Sequence, residues 1–317
     1  MSAVRNRDRV PNIEPYMIYT LGCSHTKFYW PTWADWLQVY EQKPVTNWAY
    51  MGYGHSNFYW TLLDNIDVLT ANDEVIIMWS QNHRITQWYD QSWVKEKDIE
   101  GFFPDTGGKI WYTQDHPHTG MFRVHPDFMP SLSHMIVDLF QTIFHAQMLL
   151  DKIGCKYQML FNQNPWLDCR PTFQPAFKLN YAHRLEINKN EREHAQRLLE
   201  LIPVQNLLNL IDWTRFPDAP DNAFDPASYQ GIYEHGKQKK YLIYAHDTDP
   251  HTTCLAHHDY VVEKILKCRS QHRDTAKDIS KTAMTMSIPE FADGDRVGDV
   301  NRILLDDNFK IMLDQLK

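Results

Sequence analysis

"DEVIIMWS", residues 73–80, is apolar at every position from Val75 to Trp79. A strand wetted on one face would alternate, so this run reads as a strand covered on both faces, the habit of parallel sheets. Towards the N-terminus, "NFYWTLLDNIDVL" (57–69) reads as a helix and "PVTNWAY" (44–50) as a strand. "WPTWADWLQVYEQ" (30–42) reads as a helix with Pro31 in its first turn, and "YMIYTL" (16–21) as a buried strand. Strand, helix, strand, helix, strand with short links predicts an α/β fold. The expected form is three layers, α/β/α, around a mostly parallel, flavodoxin-like sheet of about five strands.

Towards the C-terminus, the period is lost between Gln87 and Phe128, where Pro104, Gly107, Gly108, Pro117 and Pro126 fall. This stretch reads as an insertion whose length suits a lid or binding loop. Residues 130–154 return to helix, with Ser131 or Ser133 as cap and Gly154 as stop, and "CKYQMLFN" (155–162) reads as a fourth strand. A second irregular stretch (163–188) precedes a charged helix (189–202), and "VQNLLNLID" (204–212) is the candidate fifth strand. A polar loop spans 214–240. Residues 240–268 then pass from apolar run to polar loop to amphipathic helix. The expected organisation is a leader (1–15), one domain (16–268) with insertions near 87–128, 163–188 and 214–240, and a more polar C-terminal arm (269–317).

Composition narrows the functional classes. Of 317 residues, 43% are hydrophobic and 13% aromatic, which supplies a core and argues against wholesale disorder. The formal net charge is −8 with no long basic run, which argues against nucleic acid as the main partner. Arg5, Arg7 and Arg9 read as a solvated end. No stretch approaches the ~20 apolar residues of a membrane span. The best candidate, residues 135–150, carries Asp138, Gln141, His145 and Gln147. The first residues hold no apolar signal-peptide core. Cys23, Cys155, Cys169, Cys254 and Cys268 are scattered without a CxxC pair, which fits a reducing compartment. The expectation is a cytoplasmic protein.

Open parallel sheets place ligands at the carboxyl ends of their strands. After the first strand come Gly22, Cys23 and Ser24; after the second, Gly52, Gly54 and Asn57; after the third, Ser80, Asn82 and Arg84. Before the last helix come Asp247, Asp249, His251, His257 and His258. One edge thus collects a hydroxyl, glycine amides, a carboxamide and an Asp–His pair, the groups that acyl transfer by serine requires.

In order along the chain, "LGCSHT", "NWAYMGYGHSN", "DEVIIMWSQNHR" and "DPHTTCLAHHDYV" resemble the four sequence blocks of the SGNH (GDSL-like) hydrolase family, of the kind found in bacteria and their phages. The resemblance covers residues 16–84 and 240–266. It implies Ser24 as nucleophile, His251 as base and Asp249 as the orienting acid, with Asp247 as its competitor. It implies an oxyanion hole from Ser24, Gly54 and Asn82. His25, Asn57, Arg84 and Trp88 are candidate substrate contacts. Cys23 stands where the family often has Asp, no Gly precedes Asn82, and Thr252 stands where Pro often follows the histidine. No GxSxG elbow is present, which disfavours the ordinary α/β-hydrolase reading.

The implied activity is an esterase acting on an ester-bearing small molecule or glycan, with O-acetyl groups on a glycan as one candidate and no cofactor. The alternative is a binding or structural protein of the same fold, such as a phage virion component, with oligomer or virion partners on the insertions and the arm. Each residue also has a plainer reading. Ser24 alone is a turn residue; Gly52 and Gly54 serve a positive-φ turn; Asn57 caps the following helix; Arg84 pairs with a structural acid; Cys23 is a buried, inert thiol. Of His257 and His258, one packs behind the site and the other is exposed. His116, His118 and His125 with Asp115 and Asp127 match no HExxH or zinc-finger spacing, so no metal is expected. Trp88, Trp93, Trp111 and Trp166 either stack on substrate or anchor the insertions.

Overall fold

The computed structural model describes residues 16–50, 53–80, 84–88, 109–113, 131–166, 189–217, 229–239, 244–246, 249–285 and 305–317. Four parallel strands form the central sheet: β1 (Ile18–Leu21), β2 (Val45–Asn47), β3 (Glu74–Trp79) and, in chain order after a separate hairpin, β6 (Lys156–Phe161). The spatial order is β2-β1-β3-β6. The order reverses direction at β1, which puts the crevice for a ligand beside the carboxyl end of β1.

Alternation along the buried strands separates two apolar faces. Tyr19, Leu21, Val75, Ile77, Trp79, Tyr157, Met159 and Phe161 meet α2 (His55–Asp64) and α3 (Leu132–Ile153). Ile18, Ile76, Met78 and Leu160 face the other way, onto α1 (Trp33–Glu41). This is the three-layer α/β/α architecture that the apolar run at 75–79 predicts. The helix ends follow local chemistry. Thr32 N–H donates to Asp35 Oδ2 at 2.8 Å to start α1. Ser131 Oγ accepts from His134 N to start α3, and Gly154 at φ +82° stops it.

The predicted insertion at 87–128 meets β4 (Arg84–Trp88), which pairs antiparallel with β5 (Lys109–Thr113). The charged helix forms as α4 (Lys189–Leu199). The candidate fifth strand is instead helix α5 (Ile202–Leu210). Val204, Leu207 and Leu208 meet the core at helical spacing while Leu201, Ile202 and Leu210 stay exposed, so a short apolar run was ambiguous between the two periods. The central sheet therefore has four strands among the described residues.

After α6 (Ile232–Gln238), β7 (Tyr244–His246) and β8 (Asp249–Thr252) form a separate antiparallel pair, so Asp249 and His251 lie on a strand rather than on the predicted loop. Next come α7 (Cys254–Tyr260), which continues through a π turn at Val261–Ile265, α8 (Arg273–Thr285) and α9 (Asp307–Asp314). Ala276, Ile279, Ala283, Phe309 and Leu313 are buried on the α1 face, so the helices of the segment read as an arm belong to that layer. Among the described residues no helix is long and apolar enough to cross a membrane.

Candidate functional site

Gly22 follows β1 at a close approach of the chain to Thr26. A Cβ there would lie 2.0 Å from Thr26 Oγ1 and 3.2 Å from the Met78 carbonyl. The chain turns at once, with Thr26 N–H donating to the Cys23 carbonyl at 2.8 Å. Ser24 rides this turn and is 3% exposed. The turn is tied down from two elements. Asn47 Nδ2 and Thr32 Oγ1 both donate to the Thr26 carbonyl, at 2.7 and 2.8 Å, and Trp33 Nε1 donates to Thr26 Oγ1 at 3.1 Å. Ser24 thus stands on a rigid support, as a preorganised nucleophile requires. Cys23 points the other way, buried in the α2/α3 face.

His251 reaches this turn from the far end of the chain. Its ring stacks on Phe28 with centroids 3.8 Å apart and planes 23° from parallel. It lies 4.9 Å from the ring of His25, the neighbour of Ser24. His25 is itself held by Tyr233, whose hydroxyl is 2.9 Å from Nε2. Trp30 Nε1 donates to the carbonyl of Thr252 at 3.1 Å, which clamps the strand beside His251. Position 249 opens β8, two residues before His251 on the same strand.

Gly54 is the N-cap of α2, with φ −87°, so it does not serve a positive-φ turn. Asn57 is not the cap; it is the third residue of α2, fully buried, and among the described residues neither of its amide atoms has a hydrogen-bond partner. Arg84 and Trp88 open and close β4, on the hairpin rather than on the central sheet. Asn82, Asp247, Gly52, Trp93, Asp115, Asp127, His116, His118 and His125 lie outside the described residues. Trp111 lies on β5, and Trp166 packs against Phe140, Phe161 and Trp213, as an anchor of its loop would. Among the described residues no group of three His, Cys, Asp or Glu could hold a metal ion.

The expectation that one of His257 and His258 is exposed is overturned: both are buried. His258 bonds Asp259 Oδ1 at 2.7 Å and the Tyr40 hydroxyl at 2.9 Å, and Arg273 Nε donates to Asp259 Oδ2 at 3.1 Å. This chain of polar partners offsets the desolvation of the ring and fastens α8 to α1. His257 is treated below.

Three residues at this edge escape a reading by motif. Phe28 and Tyr233 hold the two histidines. Asn162, directly after β6, is fully buried, beside Ser80 after β3; among the described residues neither its amide atoms nor the Ser80 hydroxyl has a hydrogen-bond partner. Ser80 and Asn162 continue the Trp79–Phe161 register. The rule that ligands gather at strand ends would have found Asn162; Phe28 and Tyr233 carry no local signal. No protein-family model matches the chain, and no curated protein matches it.

Burial and the nearby His251 push the His257 imidazole down from 6.5 to about 3. The folded state keeps this ring neutral while the unfolded chain takes a proton below its ordinary value. Its contribution to stability is thus complete above pH 6.5 and is lost as pH falls towards 3. The expected loss from this group is about 2–3 kcal/mol over two pH units below that point. Burial raises the carboxyls of Asp35 and Asp138, which gives the opposite slope. Denaturant melts of the wild type and His257→Asn against pH isolate the histidine term: the variant should be flatter between pH 6.5 and 4.5 by about that amount.

Proposed function

We propose that the protein is a serine hydrolase of the SGNH type that cleaves an ester, with O-acetyl groups on a glycan as one candidate. The observation that carries this reading is the convergence of the Ser24 turn and the His251 ring at the carboxyl end of β1, on a shared support of His25 and Phe28. Ser24 Oγ attacks the acyl carbon and its proton passes to His251. Asp249, with Asp247 as competitor, holds the imidazole tautomer and stabilises its cation. The N–H groups of Ser24 and Gly54 and the side chain of Asn82 receive the oxyanion. Collapse expels the alcohol, which takes the proton from His251 and leaves acyl-Ser24. Water then gives a proton to His251 as it attacks the acyl carbon; the acyl–Ser24 bond breaks, the carboxylic acid leaves, and His251 returns the proton to Ser24. This chemistry needs no cofactor.

Release of nitrophenol from nitrophenyl acetate, and of acetate from O-acetylated oligosaccharides, tests the reading. Asn82→Ala should lower kcat by about 10²- to 10³-fold, the worth of one oxyanion donor, with the melting temperature little changed. Equal turnover in the wild type and Asn82→Ala would remove Asn82 from the site.

A folded wild type that releases neither product would favour the alternative, a binding or virion structural protein that keeps the fold without turnover.

A further inference from the structure

The His257 ring makes two hydrogen bonds, one to the start of α1 and one to Thr252, the neighbour of His251. Its Nδ1 accepts from the backbone N–H of Trp33 at 3.2 Å. Trp33 is the first residue of α1, so this N–H has no partner inside the helix. A ring nitrogen that accepts from an N–H carries no proton, so the neutral imidazole bears its proton on Nε2. That Nε2–H donates to Thr252 Oγ1 at 2.7 Å. Thr252 is fully buried, adjoins His251, and gives its carbonyl to Trp30 Nε1. Phe28, Trp30 and Trp33 all follow the Ser24 turn within a few residues. The short segment that holds Ser24 therefore also holds His251, through His257 and Thr252.

We infer that His257 is a positioning residue for His251: by bridging the first turn of α1 to Thr252, it fixes the His251 ring on Phe28 beside Ser24. As a statement about catalysis this rests on the reading of His251 as the base; as a statement about geometry it does not. A side chain that orients a base acts on kcat, since misplacement of about 1 Å can cost about a hundredfold in rate.

Two readouts separate these levels. Ring protons of His251 are shifted upfield by the stacked Phe28 ring, and NMR reports the stacking whether or not the protein is an enzyme. Thr252→Val removes the acceptor with little change of shape. His257→Asn keeps an acceptor near the Nδ1 position and loses the reach to Thr252, while His257→Gln keeps a donor near Nε2. Thr252→Val and His257→Asn should move the His251 ring protons downfield and lower kcat for nitrophenyl acetate by about ten- to a hundredfold with KM little changed. His257→Gln should recover part of both. Unmoved His251 resonances in folded Thr252→Val and His257→Asn would overturn the inference. A wild type without turnover whose His251 resonances still move in these variants would overturn the hydrolase reading and leave the positioning intact.

Discussion

Ser24→Ala is expected to lower ester turnover by about 10⁴- to 10⁶-fold, the loss seen when the nucleophile of an interdependent catalytic set is removed. The fold should survive, because the turn is held by the backbone bond from Thr26 to Cys23 and by side chains from Asn47, Thr32 and Trp33, none of which involves the serine hydroxyl. His251→Ala should fall to a similar level. The double variant should be no slower than either single one, because without its nucleophile the base has nothing to deprotonate. Stopped assays with high enzyme concentration reach this range. Independent losses that multiply in the double variant would show that the two residues do not act as a unit. Asp249→Asn and Asp247→Asn, assayed side by side, identify the orienting acid: the one that slows turnover by about 10⁴-fold is the partner of His251.

Gly231→Ala is the change expected to harm the fold most. Gly231 precedes α6 and donates its N–H to Glu234 Oε2 at 2.9 Å. A Cβ there would lie 2.6 Å from the Phe161 carbonyl oxygen and 2.7 Å from both the carbonyl carbon and oxygen of Asn162. These are backbone atoms at the carboxyl end of a central strand, so no rotamer change relieves the clash. The strand or α6 must move, and Tyr233, which donates its N–H to the Asn162 carbonyl and holds His25 through its hydroxyl, moves with it. The expected cost is about 3 kcal/mol, the upper end of ordinary overpacking. A control lies in the same helix. A Cβ on Gly236 would meet Ala256 Cβ at 3.6 Å, an ordinary contact. Gly236→Ala should be neutral or stabilising by up to about 1 kcal/mol through helix propensity. Urea melts of both variants check the pair, and equal stability would remove the close approach as the reason for a glycine at 231.

Much of the architecture was legible because burial writes itself into runs. Val75–Trp79 is apolar over its length, and Ile18–Leu21 and Tyr157–Phe161 are interrupted only by Thr20 and Gln158, as suits strands covered on both faces. The strand-end rule then led to Ser24 and Gly22 without any contact being known. The failures have physical causes. Residues 204–212 are too short for their apolar spacing to separate a strand from a helix, and packing of Val204, Leu207 and Leu208 on the core decided for the helix. One of His257 and His258 reads as exposed, yet both are buried, His258 beside a charged neighbour, Asp259. Here that neighbour is the partner which makes burial tolerable, with Arg273 arriving from the next helix. The seat of His251 on Phe28 and the grip of Tyr233 on His25 join residues more than two hundred positions apart, and spacing along the chain carries no record of them.

The central claim is that Ser24 is an activated nucleophile, and a fluorophosphonate serine probe tests it most directly. The wild type, Ser24→Ala and His251→Ala are incubated with the probe, and the adduct is located by mass spectrometry. The account predicts a single phosphonyl adduct on Ser24, formed by displacement of fluoride, absent in Ser24→Ala and formed far more slowly in His251→Ala. A well-folded wild type that carries no adduct on Ser24 would contradict it.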